Sequence, residues 1–195
     1  MGRKKSYDRD ETAERALHVF WEKGFEQTSL KDLEAATGVN RYGLYDSFTD
    51  KQGLFRECLT GYCASVMAMI EGFTSTGFSG LLGVIERFAE ADFEEVHLHH
   101  GCLAITSMLE KECLSEDLQQ LLGGYMDGIL GAIRATLESE KKAGVLRKDL
   151  DIEDCMGLMH LIMVGLPTLS RTSPDADAMR RGGKSALNAM RTWLA

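Results

Sequence analysis

The run of residues 28–51, TSLKDLEAATGVNRYGLYDSFTDK, constrains the fold more than any other part of the chain, because two short helical patterns meet in it at Thr37-Gly38-Val39-Asn40. Ser29 is a helix-start residue with Asp32 three places on. Its hydroxyl and that carboxylate can cap the free amides of a helix over 30–36. Gly38 ends that helix, at a place that calls for positive φ, which costs glycine nothing. Asn40 can cap a second helix over 41–47. There Val39, Leu44 and Phe48 are spaced to face inward, leaving Asn40, Arg41, Tyr42 and Tyr45 outside. The second helix is too short and too polar for a core. Helix, glycine turn and exposed polar helix make a helix-turn-helix.

The flanks agree. Ala13, Ala16, Leu17, Phe20 and Trp21 recur at three and four residues and predict an amphipathic helix over 11–23, stopped by Gly24. Phe25 can then join Leu30, Leu33, Val39, Leu44 and Phe48 in a small core. If the exposed helix meets DNA, its contacts divide into positioning and reading. Thr28 and Ser29 at a helix start, the Tyr45 hydroxyl and Lys51 after the Asp50 cap suit phosphate oxygens. Asn40, Arg41 and Tyr42 sit where side chains reach base edges, and Gly43 would let the helix approach closely. For Tyr42 and Tyr45 the plain alternative is an ordinary surface aromatic. Ahead of this unit, residues 2–10 form a basic arm, suited either to a groove or to mere solubilisation.

A net charge of −8 at first opposes a nucleic-acid partner. Divided along the chain, it does not. Residues 1–60 hold ten Lys/Arg against eleven Asp/Glu, whereas 61–195 hold twelve against nineteen. Counterion replacement needs only local positive charge, and Arg3, Lys4, Lys5, Arg9, Arg41 and Lys51 can be placed on one side. The acidic remainder restricts contact to the N-terminal part and speaks against a non-specific DNA-coating protein.

From about Ala13 to Phe55 the chain resembles the TetR family of one-component transcriptional regulators. The resemblance runs from Ala16-Leu17 through Phe20, Lys23-Gly24-Phe25, Thr28-Ser29, Leu33, Gly38-Val39, Gly43-Leu44-Tyr45, Phe48 and Lys51 to Leu54-Phe55. Asp46-Ser47, and the bulky Asn40-Arg41-Tyr42 turn, depart from the usual pattern and bear on the operator sequence. The resemblance implies an all-α fold of about nine helices, with a three-helix DNA-binding head over 1–50 and a ligand-binding and dimerisation body over 51–195. It also implies that the last two helices pair with those of a second subunit.

Beyond the head, the residue pattern predicts helices over 51–72, 81–96, 116–143, 151–170 and 175–194, with 72–80 as the most loop-like segment. Ser115 is placed to cap the helix over 116–143. Gly123, Gly124, Gly128 and Gly131 interrupt its apolar stripe, for close packing or to leave room for a ligand. The final apolar stripe, with Met179, Ala186, Leu187, Met190 and Trp193, looks uncovered by its own body, which favours a symmetric dimer. No apolar run approaches a membrane span and no secretory leader is evident, so a cytoplasmic protein is expected.

Five cysteines without a C-x-x-C spacing read as free thiols. Gly101-Cys102-Leu103 resembles the start of the sixth helix in one TetR branch, some members of which sense electrophiles or oxidants through that thiol. By that likeness Cys102 is a candidate sensor and Cys113 a second thiol, against the plain reading of small apolar filler. His97, His99 and His100 beside Cys102 could hold zinc, nickel or copper, but no second pair of ligands follows at a fixed spacing. The expectation is therefore a homodimeric regulator, most often a repressor in this family. It would bind a palindromic duplex operator and be released by a small apolar or thiol-reactive inducer near Met67, Phe88, Cys102, Met108, Tyr125 and Met159. No cofactor and no membrane are expected. The rivals are a thiol-dependent enzyme and a metal-responsive regulator, both built on Cys102 and the histidines.

Overall fold

The computed structural model describes residues 7–90, 100–173 and 175–195. Among them are nine α-helices and no strand beyond one isolated bridge, Leu146 to Leu194. The first, α1 (Arg9–Lys23), starts two residues earlier than the apolar pattern implies, because Asp8 accepts from the amides of Asp10 and Glu11. Helix α2 (Leu30–Thr37) opens on the expected capping box of Ser29 and Asp32 and stops at Gly38, φ +72°. Asn40 caps α3 (Arg41–Phe48) through the Gly43 amide. Thr49 joins α3 to α4 at φ +73°, an unusual conformation for a β-branched residue.

Helix α4 (Lys51–Thr74), capped by Asp50, is the central strut: α1 and α3 pack on its first half, and further helices pack along its length. The expected loop over 72–80 shrinks to a tight turn, since Phe78 is buried and already belongs to α5 (Phe78–Glu90). The part of that expected helix beyond Glu90 lies outside the described residues. Helix α6 (Leu103–Leu109) is short and is followed by a 3-10 turn at Lys111–Cys113. Helix α7 (Glu116–Ala143) has the expected span, but Ser115 at its start makes no side-chain capping bond. Three of its four inner glycines, Gly123, Gly124 and Gly131, face open space, so none of them is required by packing within this chain. Gly128 alone makes room, for Met67, whose Cε would lie 3.1 Å from an added Cβ.

Helices α8 (Ile152–Thr172) and α9 (Ala176–Arg191) complete the body. The apolar stripe of α9 is not uncovered: Met179, Ala186, Leu187 and Met190 are buried, and α5 is the helix most extensively packed on α9. Gly182 and Gly183 make this possible. A Cβ on Gly182 would meet Leu166 of α8 at 3.0 Å, and one on Gly183 would meet the Ala89 backbone nitrogen of α5 at 2.8 Å. On α8, by contrast, Leu161 is 73% accessible and Leu169 is also exposed. Contrary to the sequence expectation, α8 is long and apolar enough to cross a membrane by length and composition. Its Cys155, Met159, Ile162 and Leu166 are nonetheless buried within the protein.

Candidate DNA-contacting face and internal cavity

The head is built to hold α3 outward. Phe20, Phe25 and Phe55 form an aromatic cluster with centroids 4.8–6.2 Å apart, and Leu33, Leu44 and Phe48 are buried with them. Leu44 and Phe48 fix one side of α3, so the other side is free. Tyr42 is 87% exposed and Asn40 and Arg41 are exposed beside it. Arg41 is set from two directions: its backbone N–H donates to Glu34 Oε1 at 2.6 Å, and its guanidinium lies 5.4 Å from the centre of the Tyr45 ring. Asn40 spends its amide oxygen on the cap, leaving its NH2 group as the donor.

Several expected contacts are placed differently. Thr28 is 1% exposed and its hydroxyl donates to the Gly24 carbonyl at 2.6 Å, so it locks the turn into α2 and cannot meet a phosphate. Ser29 is exposed, although its hydroxyl already serves Asp32. Lys51 is half-buried with Nζ 4.5 Å above the Phe25 ring and 3.3 Å from the Glu26 carbonyl, and burial lowers its pKa. Its ammonium is held against the head rather than projected from it. A Cβ on Gly43 would stand 2.7 Å from Val39 Cγ1 and 3.1 Å from Tyr7 Cε1, so packing from within already favours glycine here.

Arg9, expected in the basic arm, is the first residue of α1. It pairs with Glu57 at 2.8 Å, donates to the Ser47 carbonyl at 2.8 Å and lies 4.7 Å over Phe48. Arg3, Lys4 and Lys5 lie outside the described residues. Sequence reasoning missed Tyr7, whose hydroxyl donates to the Gly43 carbonyl at 2.6 Å and lies 2.8 Å from Ser47 Oγ. As the one aromatic in a charged segment, it carried a signal that could have been read.

A cavity of about 200 Å³ lies within the body, between α1, α4, α5, α6, α7 and α8. Phe88, Cys102 and Tyr125 line it as expected, but Met67, Met108 and Met159 do not. Met159 is core, and Met67 packs against Gly128. The decisive wall residue is Trp21, which belongs to the first helix of the head. Its indole N–H donates to the Gly101 carbonyl at 2.9 Å and its ring packs edge-on against Tyr62, centroids 5.2 Å apart. Behind it, Arg171 near the end of α8 donates to the carbonyls of Trp21 (2.8 Å), Glu22 (3.2 Å) and His100 (3.1 Å). A cation at a helix C-terminus meets the free carbonyls and the negative end of the dipole there. Glu110, just after α6, adds a second tie by accepting from the Phe25 amide at 2.8 Å.

The remaining thiols are less reactive than expected or unsuited to sensing. Cys58 donates to the Ala13 carbonyl and burial pushes it up to about 12; burial also pushes Cys63 up to about 12. The Cys113 thiol is raised by desolvation and by Glu26, Glu110 and Glu112, the opposite of an activated thiolate. No group of three metal-ligating side chains occurs among the described residues, and His97 and His99 lie outside them.

An exposed polar helix set on a glycine turn, carried by a helical body, defines a helix-turn-helix DNA-binding protein. Residues 14–58 match the family model for bacterial regulatory proteins of the tetR family, and residues 77–186 match that for the tetracyclin repressor-like C-terminal domain. The chain belongs to the TetR family of transcriptional regulators, which are not enzymes. It is 26% identical over 185 residues to the HTH-type transcriptional regulator YezE of Bacillus subtilis (strain 168), covering 92% of this chain and 94% of that one. To the HTH-type transcriptional repressor ComR of Escherichia coli (strain K12) it is 49% identical, but over 61 residues, spanning 31% of this chain and 29% of ComR. Its fold is similar to that of the TetR family regulator CifR, solved as a cysteine mutant complexed with a 26-bp double-strand operator DNA. The TM-score is 0.81 at 23% identity, covering 96% of this chain and 99% of that one.

Proposed function

We propose that the chain is a cytoplasmic, homodimeric repressor, with residues 1–50 as the DNA-binding head and 51–195 as the ligand-binding and dimerisation body. Two heads would lay α3 in successive major grooves of a palindromic operator. Arg41, Tyr42 and the Asn40 amide would read base edges, with Ser29 and Tyr45 on phosphates; Lys51 reaches a phosphate only by leaving the Phe25 ring. The dimer would form on α8 and α9. Exposed Leu161 and Leu169 are the apolar surface to be covered.

The observation that carries ligand response is the double position of Trp21, part of the head's first helix and part of the cavity wall. A molecule that fills the cavity must push on Trp21. Arg171 and the Gly101 carbonyl then pass the displacement to the end of α1, which packs on α4. A ligand with different affinities for the two head arrangements opposes DNA by linkage. A thiol-reactive inducer would arrive at the same wall, since half-buried Cys102 lines it. The test is a gel shift on the DNA upstream of the chain's own gene, repeated with small apolar compounds and with diamide. Binding that one class of compound reverses is expected. Compounds shown to occupy the cavity while leaving the complex intact would sink the ligand-release reading.

A further inference from the structure

The polar atoms of the cavity gather beside one sulfur. The Trp21 indole N–H is engaged with Gly101, and the Ser170 hydroxyl donates to the Pro167 carbonyl at 2.7 Å. The side-chain groups left to face the cavity are the Cys102 thiol and the phenols of Tyr62 and Tyr125. The Tyr125 hydroxyl is 3.8 Å from Cys102 Sγ, and Tyr62 lines the same cavity. Burial first, then the thiol beside them, pushes both phenols far above their ordinary range, so both remain O–H donors. A thiol sulfur is a weak acceptor. The Tyr125 hydroxyl thus has one poor partner and the Tyr62 hydroxyl apolar surroundings, where an oxygen acceptor would serve both much better.

Charge and size narrow the choice further. None of the described lining residues is ionic, so a carboxylate or ammonium ligand would be buried without a counter-ion, which is strongly disfavoured. An apolar cavity of about 150 Å³ holds benzene. The roughly 200 Å³ here admits a ring and a few more atoms.

We propose that the cavity takes an uncharged molecule of roughly eight to twelve non-hydrogen atoms, its apolar body against Val84, Phe88 and Ile129 and one carbonyl-type oxygen accepting from Tyr62 and Tyr125. This names the chemistry of the proposed inducer and rests on the reading of the cavity as its site. Calorimetry on the full-length protein tests it with four probes built on one ring: acetophenone, ethylbenzene, benzoate and benzylamine. Acetophenone binds at least ~10-fold more tightly than ethylbenzene, a typical single hydrogen bond, and the two charged probes give no heat. Tyr125→Phe and Tyr62→Phe each reduce the ketone preference without weakening ethylbenzene, whose binding shows that the cavity is still folded. Cys102→Ala strips the Tyr125 phenol of its weak partner and tightens acetophenone, by roughly 3-fold.

Ethylbenzene binding as well as acetophenone, benzoate binding tightest, none of the four binding, or Cys102→Ala abolishing ketone binding would each overturn the assignment. Operator release is measured separately by gel shift. Acetophenone that binds with the expected selectivity but leaves DNA bound overturns the inducer reading and leaves the ligand class standing.

Discussion

At the scale of single residues, small groups decide whether α3 is presented at all. Gly43→Ala drives a methyl into Val39 and Tyr7 and should cost about 1–3 kcal/mol of stability, read from urea midpoints, with operator affinity falling in parallel. Thr49 holds positive φ against its own branching, a strain of about 1–3 kcal/mol. Thr49→Gly should therefore stabilise the protein by roughly 1 kcal/mol after the entropic cost of glycine, and a lowered midpoint would show that the conformation is unstrained. Asp32 is held well below the usual carboxylate range by Lys23 and then by Ser29. A depressed folded pKa contributes stability that is complete above the unfolded value, about 3.9, and is lost as pH falls below it. The gap between wild type and Asp32→Asn should thus stay constant near neutrality and close below about pH 4; a gap that persists in acid contradicts this. The caps of α2 and α3 were legible from Ser29, Asp32, Gly38 and Asn40, because capping is local chemistry. The fate of Thr28, Lys51 and Arg9 was not, since each is decided by a partner distant in sequence or by burial that spacing does not encode.

At the scale of elements, the helix order and most boundaries could be read from period and glycine stops, but which helix covers which could not. Nothing local says that α5 buries the stripe of α9. That depends on Gly183 meeting the Ala89 backbone, so Gly183→Val should destabilise the body by about 1–3 kcal/mol. Near-identical urea midpoints for the two proteins would mean that α5 and α9 do not pack as described. The link between body and head was hidden for the same reason: Arg171 and Trp21 are 150 positions apart. Arg171→Met removes the donors that hold the α1 carbonyls. It should leave the cavity able to bind while weakening the effect of an occupant on operator affinity, by about 5-fold or more given usual coupling energies. An unaltered ratio of operator affinities with and without ligand would remove Arg171 from the path.

At the scale of the whole molecule, residues 1–60 are nearly neutral and residues 61–195 carry the acidic excess, which favours DNA contact through the head with exposed Arg41 as its cation on α3. The dimer account places α8 at the two-fold axis, so Leu161→Glu should shift the protein to monomer in sedimentation and cost operator affinity, because one half-site alone is then engaged. The central claim is that the outward side of α3 reads a duplex, and footprinting with wild type and Arg41→Ala on the DNA upstream of the chain's own gene addresses it most directly. The wild type should protect one palindrome with half-sites in successive major grooves, about 34–36 Å apart or a multiple of that. Arg41→Ala should bind more weakly there, and tolerate any base at one pair in each half-site. Protection spread evenly along the fragment, or a footprint and base preference identical in the two proteins, would contradict it.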